Sequence, residues 1–487
     1  MRRAFVSALA GFAVLAPLRP SALPASWSIA DHGARGGVTY GGTAVDGVGA
    51  VYLPAGAVPG RRVRVAYVLA GGNSSQLARA LGIAGIGDQL SWQRTTPPFA
   101  VVIVAPHGHG ALARAIGYAQ RALPISRSTA EQAVVGLGAD APAALRAVIE
   151  PQLRIGAGIA IGGGVPPGLV ARIKRAVPQR RVRSYPAPSP IGPATLPLWR
   201  HRLLDTLAYA FSSPSADRAI RMATAVAPPG WTRIAAGPSG GTIWQGVIPN
   251  PADPGHPRAS LVYLPPGVRR TARYPALYLL HGLRGSPYSF VGGLRLAAVA
   301  DGLIASRQVP PFIAVMPPAG STPQFDGEWT GPWETYVLQD VLPWADRHLP
   351  LATTPAERTL AGFSAGAYGS IDMALRNPGL FGTVESWSGY FTSPRDGSLE
   401  HATRTERLAH DPQALVRAQA AVLRAAHVRF FLSAGRRERV TLATTRAFAS
   451  ELGSLGVEHV VHVGAGGHHG STWRAVLPAG MRYALTR

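Results

Sequence analysis

The chain has 487 residues, of which 47% are hydrophobic and none is cysteine. That length suits two large domains or two to four average ones, each burying its own core. The lack of cysteine excludes disulfides, thiolate metal sites, a cysteine nucleophile and a bacterial lipid-anchor cysteine. Lys and Arg number 48 against 25 Asp and Glu, a net charge of +23, which suits adsorption to an anionic cell-envelope polymer or an acidic lipid. The arginines read as scattered and no nucleic-acid motif accompanies them, so no specific nucleic-acid partner is expected. Lys174 is the only lysine, and that bias reads as genomic composition as much as function.

Residues 1–25 read as a secretory signal peptide. Arg2 and Arg3 form a basic start, 4–16 is almost wholly apolar, Pro17 ends the run, and small residues follow near Ala22 and Ala25. The string Arg2-Arg3-Ala4-Phe5-Val6 resembles a twin-arginine export signal. The expectation is a secreted or cell-envelope protein; the alternative is an uncleaved anchor. No later segment has the apolar run that a spanning helix needs.

Two stretches then read as copies. Residues 27–42 resemble 231–246, Val51-Tyr52-Leu53-Pro54 matches Val262-Tyr263-Leu264-Pro265, and 131–163 aligns with 357–389 at a constant offset of 226. The first copy spans 27–211 and the second 231–487. Between them, 212–230 is rich in Ser, Ala and Pro and reads as a linker. Both copies alternate short apolar runs with longer Ala/Leu/Arg stretches, the pattern of β-α-β units in an α/β fold. In the second copy strands are expected at 259–264, 276–280, 312–316, 359–363, 382–386, 428–433 and 459–463. Helices are expected at 333–348, 365–376, 412–425 and 442–455.

One motif in this frame carries chemistry. Gly362-Phe363-Ser364-Ala365-Gly366 joins an expected strand to an expected helix, as a nucleophile elbow must for its serine to stand exposed at the strand end. Gly237-Pro238-Ser239-Gly240-Gly241 has the same spacing, but the strand-like Thr242-Ile243-Trp244 follows it, so Ser239 is set aside. A serine hydroxyl needs a base, and the base an orienting acid. In chain order these are Ser364, then Glu438 after the strand 428–433, then His468 after the strand 459–463. Asp411 is the fallback acid, and His468 is chosen over His469. The oxyanion calls for preorganised N–H donors, assigned to the backbone of Ala365 and of Leu283 in the loop His281-Gly282-Leu283-Arg284-Gly285.

The second copy resembles the esterase D group of α/β-hydrolases, which includes the mycobacterial mycolyltransferases of the antigen 85 complex. The resemblance rests on Tyr278-Leu279-Leu280-His281-Gly282-Leu283-Arg284-Gly285, Trp333-Glu334-Thr335-Tyr336, the Ser364 motif, Ser388-Gly389, and Gly466-Gly467-His468 with Trp473 five residues on. It implies an α/β-hydrolase fold with Ser364 as nucleophile, His468 as base, Glu438 as acid, and Leu283 and Ala365 N–H groups in the oxyanion hole. It departs at Ala367, where many members have another glycine, and at His281, where the mycolyltransferases have an aspartate.

The first copy keeps the scaffold without the chemistry. Gly138 stands at the position of Ser364, Ala70 at that of His281 and Ala194 at that of His468, and the interval that would hold the acid is much shorter. The expectation is a shortened, degenerate α/β-hydrolase-like domain before an intact catalytic one. The function expected is an exported serine carboxylic-ester hydrolase or acyltransferase with an ester or acyl-lipid substrate. The alternative is a noncatalytic envelope-binding protein. No metal cluster, phosphate loop or dinucleotide fingerprint is evident, so no cofactor or metal is expected. Oligomeric state is not legible.

Overall fold

The computed structural model describes residues 20–486 apart from 22, 59, 106–109, 163, 187–193, 321–328 and 396–398. Most of the expected signal peptide therefore lies outside the described residues. The chain divides into two compact units, Met1–Ser212 and Ser213–Arg487. No helix among the described residues is long and apolar enough to cross a membrane.

Among the described residues the second unit has nine strands: β9 (Thr232–Ala236), β10 (Thr242–Gly246), β11 (Ser260–Leu264), β12 (Ala276–Leu280), β13 (Ile313–Met316), β14 (Arg358–Phe363), β15 (Thr383–Trp387), β16 (Arg429–Gly435) and β17 (His459–Gly464). The first unit supplies β1 (Ser28–His32), β2 (Val38–Val45), β3 (Val48–Leu53), β4 (Arg64–Leu69), β5 (Phe99–Val104), β6 (Gln132–Leu137), β7 (Ala157–Ile161) and β8 (Arg181–Tyr185).

The second sheet runs β9-β10-β11-β13-β12-β14-β15-β16-β17. β9 to β11 are antiparallel and β11 opposes β13, while β12 to β17 pair in parallel. This is the strand order of an α/β-hydrolase. Parallel strands need a crossover each, and the crossover helices cover both faces. The central strand shows the result. Tyr278 and Leu280 of β12 enter the core on one face, and Leu277 and Leu279 enter the core on the other. All five residues of β12 are buried, and each Leu removed from water contributes about 2 kcal/mol.

Seven expected strands and four expected helices of this unit appear, with ends shifted by three residues at most. The segment expected as one helix at 333–348 consists of Pro332–Thr335, a π-helical stretch Tyr336–Val341, and Leu342–His348. Pro343 has no N–H to donate and its ring crowds the preceding turn, and the wider turn accommodates it. The stretch 212–230 is not irregular. It holds the helix Pro214–Val226, capped by the Ser213 side chain on Ala216 N–H, and Ala223 and Val226 pack in the core with Trp244 and Tyr278. Its Ser and Pro are helix-start residues, and its apolar positions recur at helical spacing.

The first sheet runs β1-β2-β3-β5-β4-β6-β7-β8, the order of the second with one strand fewer. A buried detail also recurs. Asp88 accepts from Tyr52 Oη at 2.9 Å and from Gly37 N–H at 3.1 Å. Asp301 accepts from Tyr263 Oη at 2.9 Å and from Gly241 N–H at 3.1 Å. Asp301 also accepts from Ser239 N–H at 2.7 Å, so the second glycine-serine-glycine string is a turn pinned by a carboxylate.

Glu385 on β15 is 1% exposed, and its Oε2 accepts from Trp387 Nε1 at 2.8 Å. Burial pushes its carboxyl up to about 8, although the Trp387 hydrogen bond and the Arg429 charge pull it down. In the unfolded chain it titrates near 4.5. Folding therefore favours the protonated form, a contribution fully present below about pH 4.5 and lost as pH rises through about 8. Urea unfolding of Glu385→Gln across that window is expected to give a flatter stability profile than the parent. An unchanged slope would show that Glu385 does not titrate there.

Candidate active site

β14 ends in the buried pair Gly362-Phe363, and the helix Ala365–Arg376 begins one residue after Ser364. Ser364 sits between them at φ 56°, ψ −122°, a conformation that costs a non-glycine residue roughly 1–3 kcal/mol. The turn is too tight for side chains on either flank. A Cβ on Gly362 would lie 2.3 Å from Gly366 O, and one on Gly366 would lie 2.2 Å from Leu280 O. The Ser364 N–H donates to Trp387 O at 3.0 Å, which fixes the elbow to the neighbouring strand.

Two loops bring partners to the serine. His468 lies between β17 and the helix Gly470–Leu485, with Nε2 2.8 Å from Ser364 Oγ and Nδ1 2.8 Å from Glu438 Oε2. Glu438 follows β16 at the start of the helix Arg439–Ser454 and is buried. Its Oε1 accepts from Ser388 Oγ at 2.8 Å and from Gly435 N–H at 2.8 Å. Burial pulls its carboxyl upward, but hydrogen bonds from His468, Ser388 and Gly435 outweigh this and hold it below its ordinary value. Glu438 is therefore ionised at neutral pH. Its acceptor role assigns the proton to His468 Nδ1 and leaves Nε2 to accept from the serine.

Sequence reasoning named Ser388 and Trp473 only as parts of a resemblance. In the structure they hold the acid and the base. Ser388, at φ 60° just past β15, accepts from Trp473 Nε1 at 3.0 Å while donating to Glu438. The Trp473 ring stacks on Phe363 at 4.4 Å and meets the His468 ring edge-on at 5.1 Å. Ser388→Ala removes one of the Glu438 donors and the Trp473 acceptor, a loss of about 1–3 kcal/mol of buried satisfaction. The expected result is a roughly tenfold drop in kcat with KM little changed. A steeper fall in the variant's activity than in the parent's on mild heating, without a kcat change at 25 °C, would reduce Ser388 to a structural residue.

The loop after β12 also reaches the elbow. A Cβ on Gly282 would lie 3.1 Å from Ser364 Cβ, so this loop, with Leu283 next, packs on the serine. His281 pins it. Its Nδ1–H donates to Gly282 O at 2.9 Å, its Nε2 accepts from Ala319 N–H at 3.0 Å, and its carbonyl accepts from Trp329 Nε1 at 2.8 Å. Burial lowers its pKa to about 4, so the ring stays neutral and keeps this tautomer. Ala365 is the first residue of its helix, and its N–H has no intrahelical acceptor.

The other candidates lie elsewhere. Asp411 caps the helix Pro412–Ala425 by accepting from Ala414 N–H, and His469 pairs with Ser471 Oγ at 2.7 Å. Glu334, Asp372 and His410 place O, O and N donor atoms within 4.8 Å of one another. The Arg376 guanidinium bonds both Glu334 and His410 there, which supplies cationic charge to the group. In the first unit Gly138 has φ 59° and a Cβ on it would meet nothing within 4 Å. Gly138 shares the positive φ of Ser364 and carries no side chain.

Residues 252–484 match the family model described as "Putative esterase". The curated relatives point the same way. Esterase Rv1288 of Mycobacterium tuberculosis (strain ATCC 25618 / H37Rv) is 30% identical over 240 residues, 42% of this chain and 51% of that protein. An endo-1,4-beta-xylanase/feruloyl esterase of Xylanibacter ruminicola is 30% identical over 145 residues, 28% of this chain and 20% of that protein. The chain spans about half the length of the mycobacterial esterase it matches. Among solved structures, a ferulic acid esterase aligns with a TM-score of 0.46 at 22% identity, over 50% of this chain and 98% of that one.

Proposed function

We propose that the second unit is a serine carboxylic-ester hydrolase or acyltransferase that works through an acyl-serine intermediate. The observation that carries this reading is one unbroken run of hydrogen bonds, Trp473 to Ser388 to Glu438 to His468 to Ser364. Ser364 Oγ attacks the ester carbonyl while His468 Nε2 takes its proton, and Glu438 stabilises the imidazolium. The Ala365 and Leu283 N–H groups receive the oxyanion. Collapse expels the alcohol, which takes the proton back from His468. Water, or a hydroxyl of a second substrate, then repeats the sequence on the acyl-serine. The His468 side chain is 38% exposed, which supports water as the acceptor.

In the same reading the first unit is a pseudo-hydrolase derived by duplication. The shared strand order, the repeated Asp–Tyr pair and the positive φ of Gly138 opposite that of Ser364 support it. The basic, apolar leader at residues 1–25 supports export to the cell envelope or beyond.

Fluorophosphonate labelling of the full chain, read by peptide mass, tests the catalytic assignment. One adduct on Ser364 is expected, absent from Ser364→Ala. No adduct would favour a noncatalytic envelope-binding protein.

A further inference from the structure

Charge is divided unequally between the units. Residues 1–212 hold 22 Arg or Lys against 7 Asp or Glu, and residues 213–487 hold 26 against 18. Within the first unit the excess is concentrated. From Pro151 to Leu204 there are nine Arg or Lys and no Asp or Glu. The described residues of this stretch include β7, the helix Leu169–Ala176, β8, and the start of the helix Leu196–Phe211. β8 is the last strand of its sheet, where the second unit continues one strand further to β17.

The cations flank that edge on both faces. Val182 of β8 packs with Leu169 and Ile173, which turns Arg172, Lys174 and Arg175 of the same helix to solvent. Strand alternation sends Arg181 and Arg183 to the opposite face. There Arg181 lies 4.2 Å and Arg183 3.8 Å from the centre of the Tyr209 ring, and Arg202 lies 5.6 Å from that of Tyr185. Stacking on tyrosine, with Arg181 also donating to Ser212 and Arg183 to Tyr185 Oη, holds these guanidinium groups in fixed places at the edge.

We infer that the β8 edge of the first unit docks a linear polyanion, such as a chain of phosphodiester or phosphate groups. A flat anionic membrane would meet the cations of one face only, whereas a flexible chain can wrap the edge and meet both. The uniformly positive stretch provides the complementary charge, and arginine suits phosphate oxygens. The inference does not depend on the esterase reading of the second unit. It gives the first unit, which lacks a nucleophile at Gly138, a task of its own.

Binding of the full chain to long-chain inorganic polyphosphate, measured across a salt series, tests this. The variant R172E/K174E/R175E, all exposed positions, is expected to bind at least tenfold more weakly and to lose about two from the log–log salt slope. R269E/R270E/R273E makes the same charge change on the second unit and is expected to stay within twofold of the parent. Both variants should keep full ester turnover. Equal losses in the two variants, or no salt-sensitive binding by the parent, would overturn the inference. So would binding to phosphatidylglycerol vesicles without binding to polyphosphate, which would indicate a membrane surface instead.

Discussion

Ser364→Ala is expected to lose ester turnover by about 10⁴- to 10⁶-fold in kcat while keeping the parent's fold. The serine oxygen is the attacking atom in the proposed mechanism, and the described geometry puts His468 Nε2 at 2.8 Å from it and from no other hydroxyl in this relay. The change should also relieve little structure, because Ser364 makes its elbow contact through the backbone N–H to Trp387 O. Initial rates on a p-nitrophenyl ester, with near-UV circular dichroism as the folding check, decide it. Turnover within tenfold of the parent would remove Ser364 from the mechanism and leave the elbow as scaffold.

Glu438→Gln carries the second-largest expected effect, about 10³- to 10⁴-fold in kcat. The amide has nearly the shape of the carboxylate, so the hydrogen bonds from Ser388 and Gly435 can persist on its oxygen. Its NH₂ then faces His468 Nδ1 and donates to it. That reverses the tautomer and places the ring proton on Nε2, where it blocks acceptance from Ser364. The charge that would stabilise the imidazolium is lost as well. A loss below tenfold in single-turnover acylation would mean that Glu438 neither orients nor stabilises the histidine. Asp411 offers no substitute, since it is engaged as a helix cap.

Much of the second unit was legible because its elements obey local rules. The run Ala276–Leu280 is apolar on both faces and flanked by Pro275 and by His281-Gly282, which suits a central buried strand. The glycines around Ser364 announce a turn with no room for side chains, and the approaches of 2.3 and 2.2 Å that a Cβ would make there give the reason. The helix Pro214–Val226 was missed for the opposite cause. Serine and proline mark both loops and helix starts, and here they frame a short stretch whose helical spacing is carried mostly by small alanines.

The sequence by itself determined the chemistry available to this protein. It holds a serine between two glycines, a later acid and a later histidine, and a glycine, Gly138, at the aligned position of the first unit. It also determined the order of strands and helices, because period and turn residues are local properties of the chain. Only the tertiary structure decided which groups meet. Ser364 and His468 are 104 residues apart and Glu438 and Ser388 are 50 apart, so their contacts depend on parallel strands ending at one edge of a sheet. The same holds for the cations at β8. Along the chain they form an acid-free stretch with no face assigned to any of them, and packing of Val182 against Leu169 and Ile173 sorts them onto the two sides of the last strand of the sheet. Long-range pairing is set by burial and strand register, which no local pattern encodes.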